Sequence, residues 1–237
     1  MTLLCKIWIG NTLVHKLCGH SGEVWSVYAT DKFIISGSNN VKIWHRNTFE
    51  LVSSFSGHRR AVFSVFAIDN FILSGSGDCS IKIIDTTSLA CIGTLKGHTS
   101  YVYDVFAINN VIISGSADYT IKIWDMYTHV CIKSLSGHTH AVRCIYTLKN
   151  IIISGSYDST IKIWDMQTYK CMKTIKGHSG CVMSVFATTE CIVSAAGLYD
   201  STTKIWDINT YECVATLESC TPFPLDAQCI WNQELFY

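Results

Sequence analysis

Serine, histidine and aspartate, the side chains that together can relay a proton and make a nucleophile, recur through this chain at fixed distances. His98, Ser114 and Asp118 form one set, His138, Ser154 and Asp158 a second, and His178, Ser194 and Asp200 a third. An imidazole that takes a hydroxyl proton while a carboxylate holds the ring is the arrangement of a hydrolytic triad. A reaction needs one such site, whereas these copies are evenly spread. Each is also followed by a tryptophan, Trp124, Trp164 or Trp206, whose indole N–H can only donate. A donor locked onto the serine oxygen suits a framework rather than a nucleophile. No catalytic residue is assigned, and no enzymatic activity is expected. The sequence has no phosphate-cradling glycine loop, no His-Glu-x-x-His and no Gly-x-Ser-x-Gly elbow. Without a Cys-x-x-Cys pair no structural zinc site is expected either, and no cofactor is implied.

The elements that position these residues repeat every forty residues. Gly97-His98, Gly137-His138 and Gly177-His178 are each answered by Lys-Ile-Trp-Asp, at 122–125, 162–165 and 204–207. Two worn copies precede them. Gly19-His20 pairs with Lys42-Ile43-Trp44-His45, and Gly57-His58 with Lys82-Ile83-Ile84-Asp85. Lys6-Ile7-Trp8 stands ahead of any Gly-His, so the numbering opens inside a repeat. A period of this length marks one supersecondary unit copied along or around an axis.

Composition bounds what the units do. With 237 residues, 49% of them hydrophobic, the chain can bury a large core as one repeat domain. Lys plus Arg equals Asp plus Glu, 18 against 18, so no global field draws nucleic acid or an anionic membrane. Neither a signal peptide nor a membrane span is legible, and a cytoplasmic or nuclear location is expected. Of the twelve cysteines, Cys91, Cys131, Cys171 and Cys213 follow the period. Equivalent positions in neighbouring units should lie beyond the roughly 7 Å Cα limit for a disulfide, so they read as small buried hydrophobes.

Within a unit the pattern is of four short strands, as at Tyr101–Ala107, Val111–Ser116, Thr120–Asp125 and Val130–Leu135. Asn109-Asn110, Ala117-Asp118 and Tyr127-Thr128 fill the gaps between them. Strands such as Val111-Ile112-Ile113 are apolar on both faces and demand a neighbouring sheet on each side. The glycines read as turn residues.

Gly-His, then Ser-Gly-Ser, then Asp, then Lys-Ile-Trp-Asp resembles the WD-repeat family of β-propellers, over essentially the whole chain. The resemblance implies an all-β fold, a β-propeller of six blades with four antiparallel strands each, or else part of a seven-bladed ring. Its blades run approximately 19–57, 58–97, 98–137, 138–177 and 178–218. A composite sixth, from 219–237 plus 1–18, would close the ring by pairing N-terminal with C-terminal strands. It also implies a structural tetrad in each blade: His98, Ser114, Asp118 and Trp124; His138, Ser154, Asp158 and Trp164; His178, Ser194, Asp200 and Trp206. The second copy has Ile84 where the indole belongs. The first lacks the aspartate and offers Asn39 or Asn40 instead, while Cys220 stands at the histidine position of the composite blade.

Such propellers bind a protein or peptide on the narrow face around the channel. The resemblance carries that face onto Glu23, Trp25, Phe63, Tyr101, Tyr103, Arg143 and Met183, with Tyr157 and Tyr199 at turns. The expected function is a non-enzymatic binding scaffold. The alternative is the substrate-recognition propeller of a larger assembly such as a ubiquitin ligase. Lysines 6, 42, 82, 122, 162 and 204 are expected to form a solvated rim rather than a nucleic-acid stripe.

Overall fold

The computed structural model describes residues 5–9, 12–197 and 199–218. Every regular element among them is a β-strand. A two-stranded antiparallel sheet, Cys5–Ile9 with Thr12–Leu17, precedes five four-stranded sheets whose strands are ordered as they occur in the chain. The sheets comprise the strands from Ser26 to Phe55, Val62 to Lys96, Val102 to Leu135, Val142 to Lys176 and Cys181 to Glu218. Residues 219–237, expected to complete a composite blade with the N-terminal strands, lie outside the described residues. The chain divides into two compact units, Met1–Ser114 with Ile123–Ile132, and Gly115–Lys122 with Lys133–Tyr237.

The strands form where β-branched and aromatic residues run together, and the turns are written into the chain between them. Asp69-Asn70 and Lys149-Asn150 each join first to second strand as two-residue hairpins, between the paired ends Ile68 and Phe71, and Leu148 and Ile151. Asp69 and Lys149 have φ of 49° and 53°. Positive φ at the first turn position matches the twist of paired strands. The aspartate that ends Lys-Ile-Trp-Asp has a local task. Asp125 Oδ1 accepts the N–H groups of Tyr127 and Thr128 at 3.0 and 2.7 Å, closing the next turn. In the first repeat His45 Nδ1 accepts two turn N–H groups at 3.3 Å, so the worn residue keeps the same role.

Within the first unit, sheet packs on sheet through the glycine of Ser-Gly-Ser. A Cβ at Gly75 would lie 2.9 Å from Val102 Cγ1 and 3.0 Å from Val105 Cγ1, and one at Gly37 would lie 2.9 Å from Val62 Cγ1. The second unit repeats the contact: at Gly155 a Cβ would meet Val182 Cγ1 at 2.5 Å and Cys144 Sγ at 2.6 Å. These glycines sit inside strands and admit the valines of the next sheet, which corrects the expectation that the glycines serve turns. Each valine named is buried.

The periodic cysteines also differ from expectation. Cys131, Cys171 and Cys213 are exposed and Cys91 is half-buried, because each opens the fourth strand of its sheet, where most side chains meet solvent.

Candidate functional site

The Ser-His-Asp sets are hydrogen-bonded chains inside single sheets. In the fourth repeat the Trp164 indole donates to Ser154 Oγ at 2.9 Å, and the hydroxyl meets His138 Nε2 at 2.8 Å. His138 Nδ1 lies 2.8 Å from Asp158 Oδ2, which also accepts Thr139 N–H at 2.9 Å. The fifth repeat is built alike, with Trp206 to Ser194 at 2.8 Å, Ser194 to His178 at 2.7 Å and His178 to Asp200 at 3.1 Å. In the third, Trp124 donates to Ser114 at 2.9 Å and His98 Nε2 meets Ser114 Oγ at 2.7 Å, while Asp118 Oδ1 accepts Thr120 N–H at 3.0 Å. The carboxylate side fixes the proton on Nδ1, so Nε2 accepts the serine proton. All five serines, Ser36, Ser74, Ser114, Ser154 and Ser194, have no solvent exposure, and no substrate carbonyl can reach them.

Burial holds the His58 and His178 imidazoles below the usual histidine range, against the opposing pull of Asp78 and Asp200. Each contact is therefore a hydrogen bond from a neutral ring to a charged carboxylate, although its geometry also meets the definition of an ion pair. Burial alone would raise Asp78, but donation from Ser80, Arg59 N–H and His58 outweighs it and brings the group to about 2.

The departures from the pattern are compensated locally. Asn40 takes the aspartate's place in the first repeat, with Oδ1 at 3.0 Å from His20 Nδ1. In the second, Ser74 keeps His58 at 2.8 Å, and Ile84 is fully buried. Elsewhere the glycine before the histidine faces the edge of the indole: a Cβ at Gly97, Gly137 or Gly177 would meet Trp124, Trp164 or Trp206 Cη2 at 3.1, 3.2 or 2.8 Å. At Gly57 it would meet the Phe55 ring at 2.0 Å. The equivalents of Phe55 are Leu17, Leu95 and Ile175, which share core clusters with Trp44, Trp124 and Trp206. Phe55 and Ile84 thus exchange sizes across one contact.

On the surface of the first unit, four residues expected at a binding face pack together. Trp25 meets Phe63 edge-on at 5.6 Å between centroids, and Phe63 lies 5.9 and 5.4 Å from Tyr101 and Tyr103. Trp25 is 48% and Tyr101 37% exposed. Arg60, which the periodic pattern does not single out, completes the group. Its Nη1 donates to Tyr101 Oη at 3.0 Å, and the guanidinium stands 5.7 Å from that ring. Gly77 gives room: a Cβ there would come within 3.2 Å of Phe63 and 3.4 Å of Arg60 Cβ. Glu23 is exposed nearby in sequence. In the second unit Arg143, Tyr157 and Met183 are half-buried, and Cys181 Sγ lies 3.7 Å from Tyr157 O. Tyr199 is 99% exposed with φ of 86°.

Two further sets follow the period. Tyr28, Phe66, Phe106, Tyr146 and Phe186 each stand eight residues after the Gly-His histidine, a spacing visible in the sequence but not assigned above. Tyr28 and Phe66 lie 4.7 Å apart, Phe66 and Phe106 4.4 Å, and Tyr146 and Phe186 5.0 Å. The lysines are less solvated than expected. Lys42 is buried, and Lys42, Lys82, Lys122, Lys162 and Lys204 each donate to a hydroxyl on the adjoining fourth strand at 2.8–3.3 Å.

Repeated antiparallel sheets, each built around a buried Ser-His pair that a tryptophan and a carboxylate complete in the last three, define a repeat protein of β-propeller type. The family model described as WD domain, G-beta repeat matches residues 11–45, 49–85, 89–125, 129–165 and 169–207. The chain belongs to this family. Among solved structures it is similar to the computationally designed Ika8 protein, with a TM-score of 0.81 and 26% identity over 93% of this chain and 70% of that one. A comparison with curated proteins found no match. Members of the family serve mainly as protein-interaction scaffolds, and no helix among the described residues is long and apolar enough to cross a membrane.

Proposed function

We propose that this chain is a non-enzymatic scaffold that binds a protein or peptide on the narrow face of a propeller. The observation that carries the proposal is the half-exposed cluster of Trp25, Phe63, Tyr101 and Tyr103 with Arg60 braced against it. Aromatic rings and arginine dominate the energetics of interfaces, because they bury large area with few rotatable bonds. A hydrogen bond and a cation–π contact hold Arg60 in place, so less ordering entropy is lost when a ligand settles on the rings. The test is affinity capture with Trp25→Ala and Tyr101→Ala proteins whose circular dichroism is unchanged. Loss of the partners held by the wild type supports the surface, and an unchanged set of partners refutes it.

The proposed ring has six blades, the last combining Cys5–Leu17 with residues 219–237. Its support is the exposure of Val27, at 47%, where its equivalents Val65, Val105, Ile145 and Val185 are buried. If the segment covers Val27, removing residues 219–237 lowers the melting temperature, and an unchanged melt contradicts this closure.

A further inference from the structure

A cleft of about 420 Å³ opens in the first unit between the turn at Asp78 and the Gly97-His98 loop. Arg59, Lys82 and Lys96 line it, with Asp78 as the carboxylate among them. The three cations have no ion pair among the described residues. Lys82 Nζ donates to the neutral Thr94 hydroxyl at 3.1 Å, which holds the ammonium against the wall. Arg59 is anchored through its backbone, whose N–H donates to Asp78 Oδ2 at 2.9 Å. The Asp78 carboxylate is already engaged. Oδ2 takes Arg59 N–H and His58, while Oδ1 takes Ser80 N–H at 3.0 Å and Ser80 Oγ at 2.6 Å. It therefore competes weakly for the side-chain cations.

The second unit contains the same cleft eighty residues on, two repeats later, as a cavity of about 460 Å³. Lys162, Lys176 and Asp158 stand there as Lys82, Lys96 and Asp78 do in the first. The backbone anchor is also the same, Thr139 N–H to Asp158 Oδ2 at 2.9 Å. The charged difference is one residue, since Thr139 takes the place of Arg59. Common repeat architecture accounts for the lysines and the aspartate but not for the arginine.

We infer that the cleft at Arg59, Lys82 and Lys96 binds a phosphate group, free or on a small phosphomonoester. A guanidinium fork and two ammonium groups supply donors and charge for an anion carrying about two negative charges on three oxygens. A carboxylate, with one charge and two oxygens, would leave one cation without a partner. The cleft has room beyond the phosphate for the carbon side of a small ester.

Isothermal titration of the full chain with inorganic phosphate and with glycerol phosphate, and with acetate as control, tests this. Both phosphates should bind at one site and acetate should not. Binding should weaken between low salt and 150 mM salt, because Arg59 and Lys96 are exposed. Tighter binding of the ester identifies an ester ligand, and equal binding identifies free phosphate. Arg59→Thr should weaken the affinity by about tenfold or more, the scale of one lost charge-assisted contact. Thr139→Arg should install a second site and raise the stoichiometry from one to two. Tyr101→Ala should leave phosphate binding unchanged, which separates this site from the aromatic surface. Absence of phosphate binding, equal affinity in Arg59→Thr, or a Thr139→Arg protein with a single site overturns the inference.

Discussion

Phe55 and Ile84 exchange sizes at a contact that other repeats fill with Leu or Ile and Trp, and this predicts strong coupling between the two positions. Ile84 has no exposed surface and shares a core cluster with Phe55, so an indole placed there meets the Phe55 ring. Overpacking of this kind costs about 1–3 kcal/mol. Phe55→Leu alone leaves a void and should cost about 1–2 kcal/mol. If the sites were independent, the double variant would lose about 2–5 kcal/mol. With both changes, the pair instead becomes the Leu-with-Trp contact of the third repeat, where Leu95 and Trp124 are buried together. The new indole also gains Ser74 as an acceptor, a net bond of about 1 kcal/mol. Since 1 kcal/mol moves the melting temperature of a chain this long by roughly 2–4 °C, each single variant should melt several degrees low and the double close to the wild type. Calorimetry and urea midpoints on all four proteins measure the coupling. A double variant whose loss equals the sum of the single losses, within about 0.5 kcal/mol, would refute the exchange.

Three other outcomes are expected. Gly155→Ala should cost about 1–3 kcal/mol by overpacking, since its Cβ falls 2.5 Å from Val182 Cγ1, and Val182→Ala should recover part of that loss in a thermal melt. Acid should weaken the fold in two windows. Burial lowers His20, His58 and His178, so the unfolded chain takes up protons first and stability falls as pH drops below about 6.5. Asp78 and Asp200, each at about 2 when folded, add a second loss from the usual carboxylate range down to that value, which urea midpoints between pH 8 and pH 3 should begin to show. Trp164→Phe should cost about 1 kcal/mol for the lost bond to Ser154, plus the cavity, and a calorimetric melt equal to the wild type would contradict the reading of that bond.

Much of the frame was legible because it is periodic. Gly-His and Lys-Ile-Trp-Asp place strands and turns within a residue or two of where they occur, as at Val102–Ile108 and Cys131–Leu135. What stayed hidden depends on contacts between repeats. Gly75, like the other glycines, reads by residue type as serving a turn, and its packing role appears only when Val102 arrives from the next sheet. Cys131 and Cys171 look apolar by type, yet the fourth strand faces water whatever residue opens it. Arg60 breaks the repeat, and its partner Tyr101 is 41 residues away, so no local pattern joins them. Phe55 and Ile84 each look like a worn position, and the compensation between them is a property of the pair.

The aromatic surface of the first unit carries the functional proposal, and a comparative capture experiment addresses it most directly. Wild type, Trp25→Ala with Tyr101→Ala, and the control Tyr127→Ala, which alters an aromatic ring 63% exposed but outside the cluster, would be used as bait in one lysate. The expected result is a set of partners shared by wild type and Tyr127→Ala and lost from the doubly substituted protein. Retention of the same partners by that protein, with its fold intact, would contradict the assignment of the binding surface.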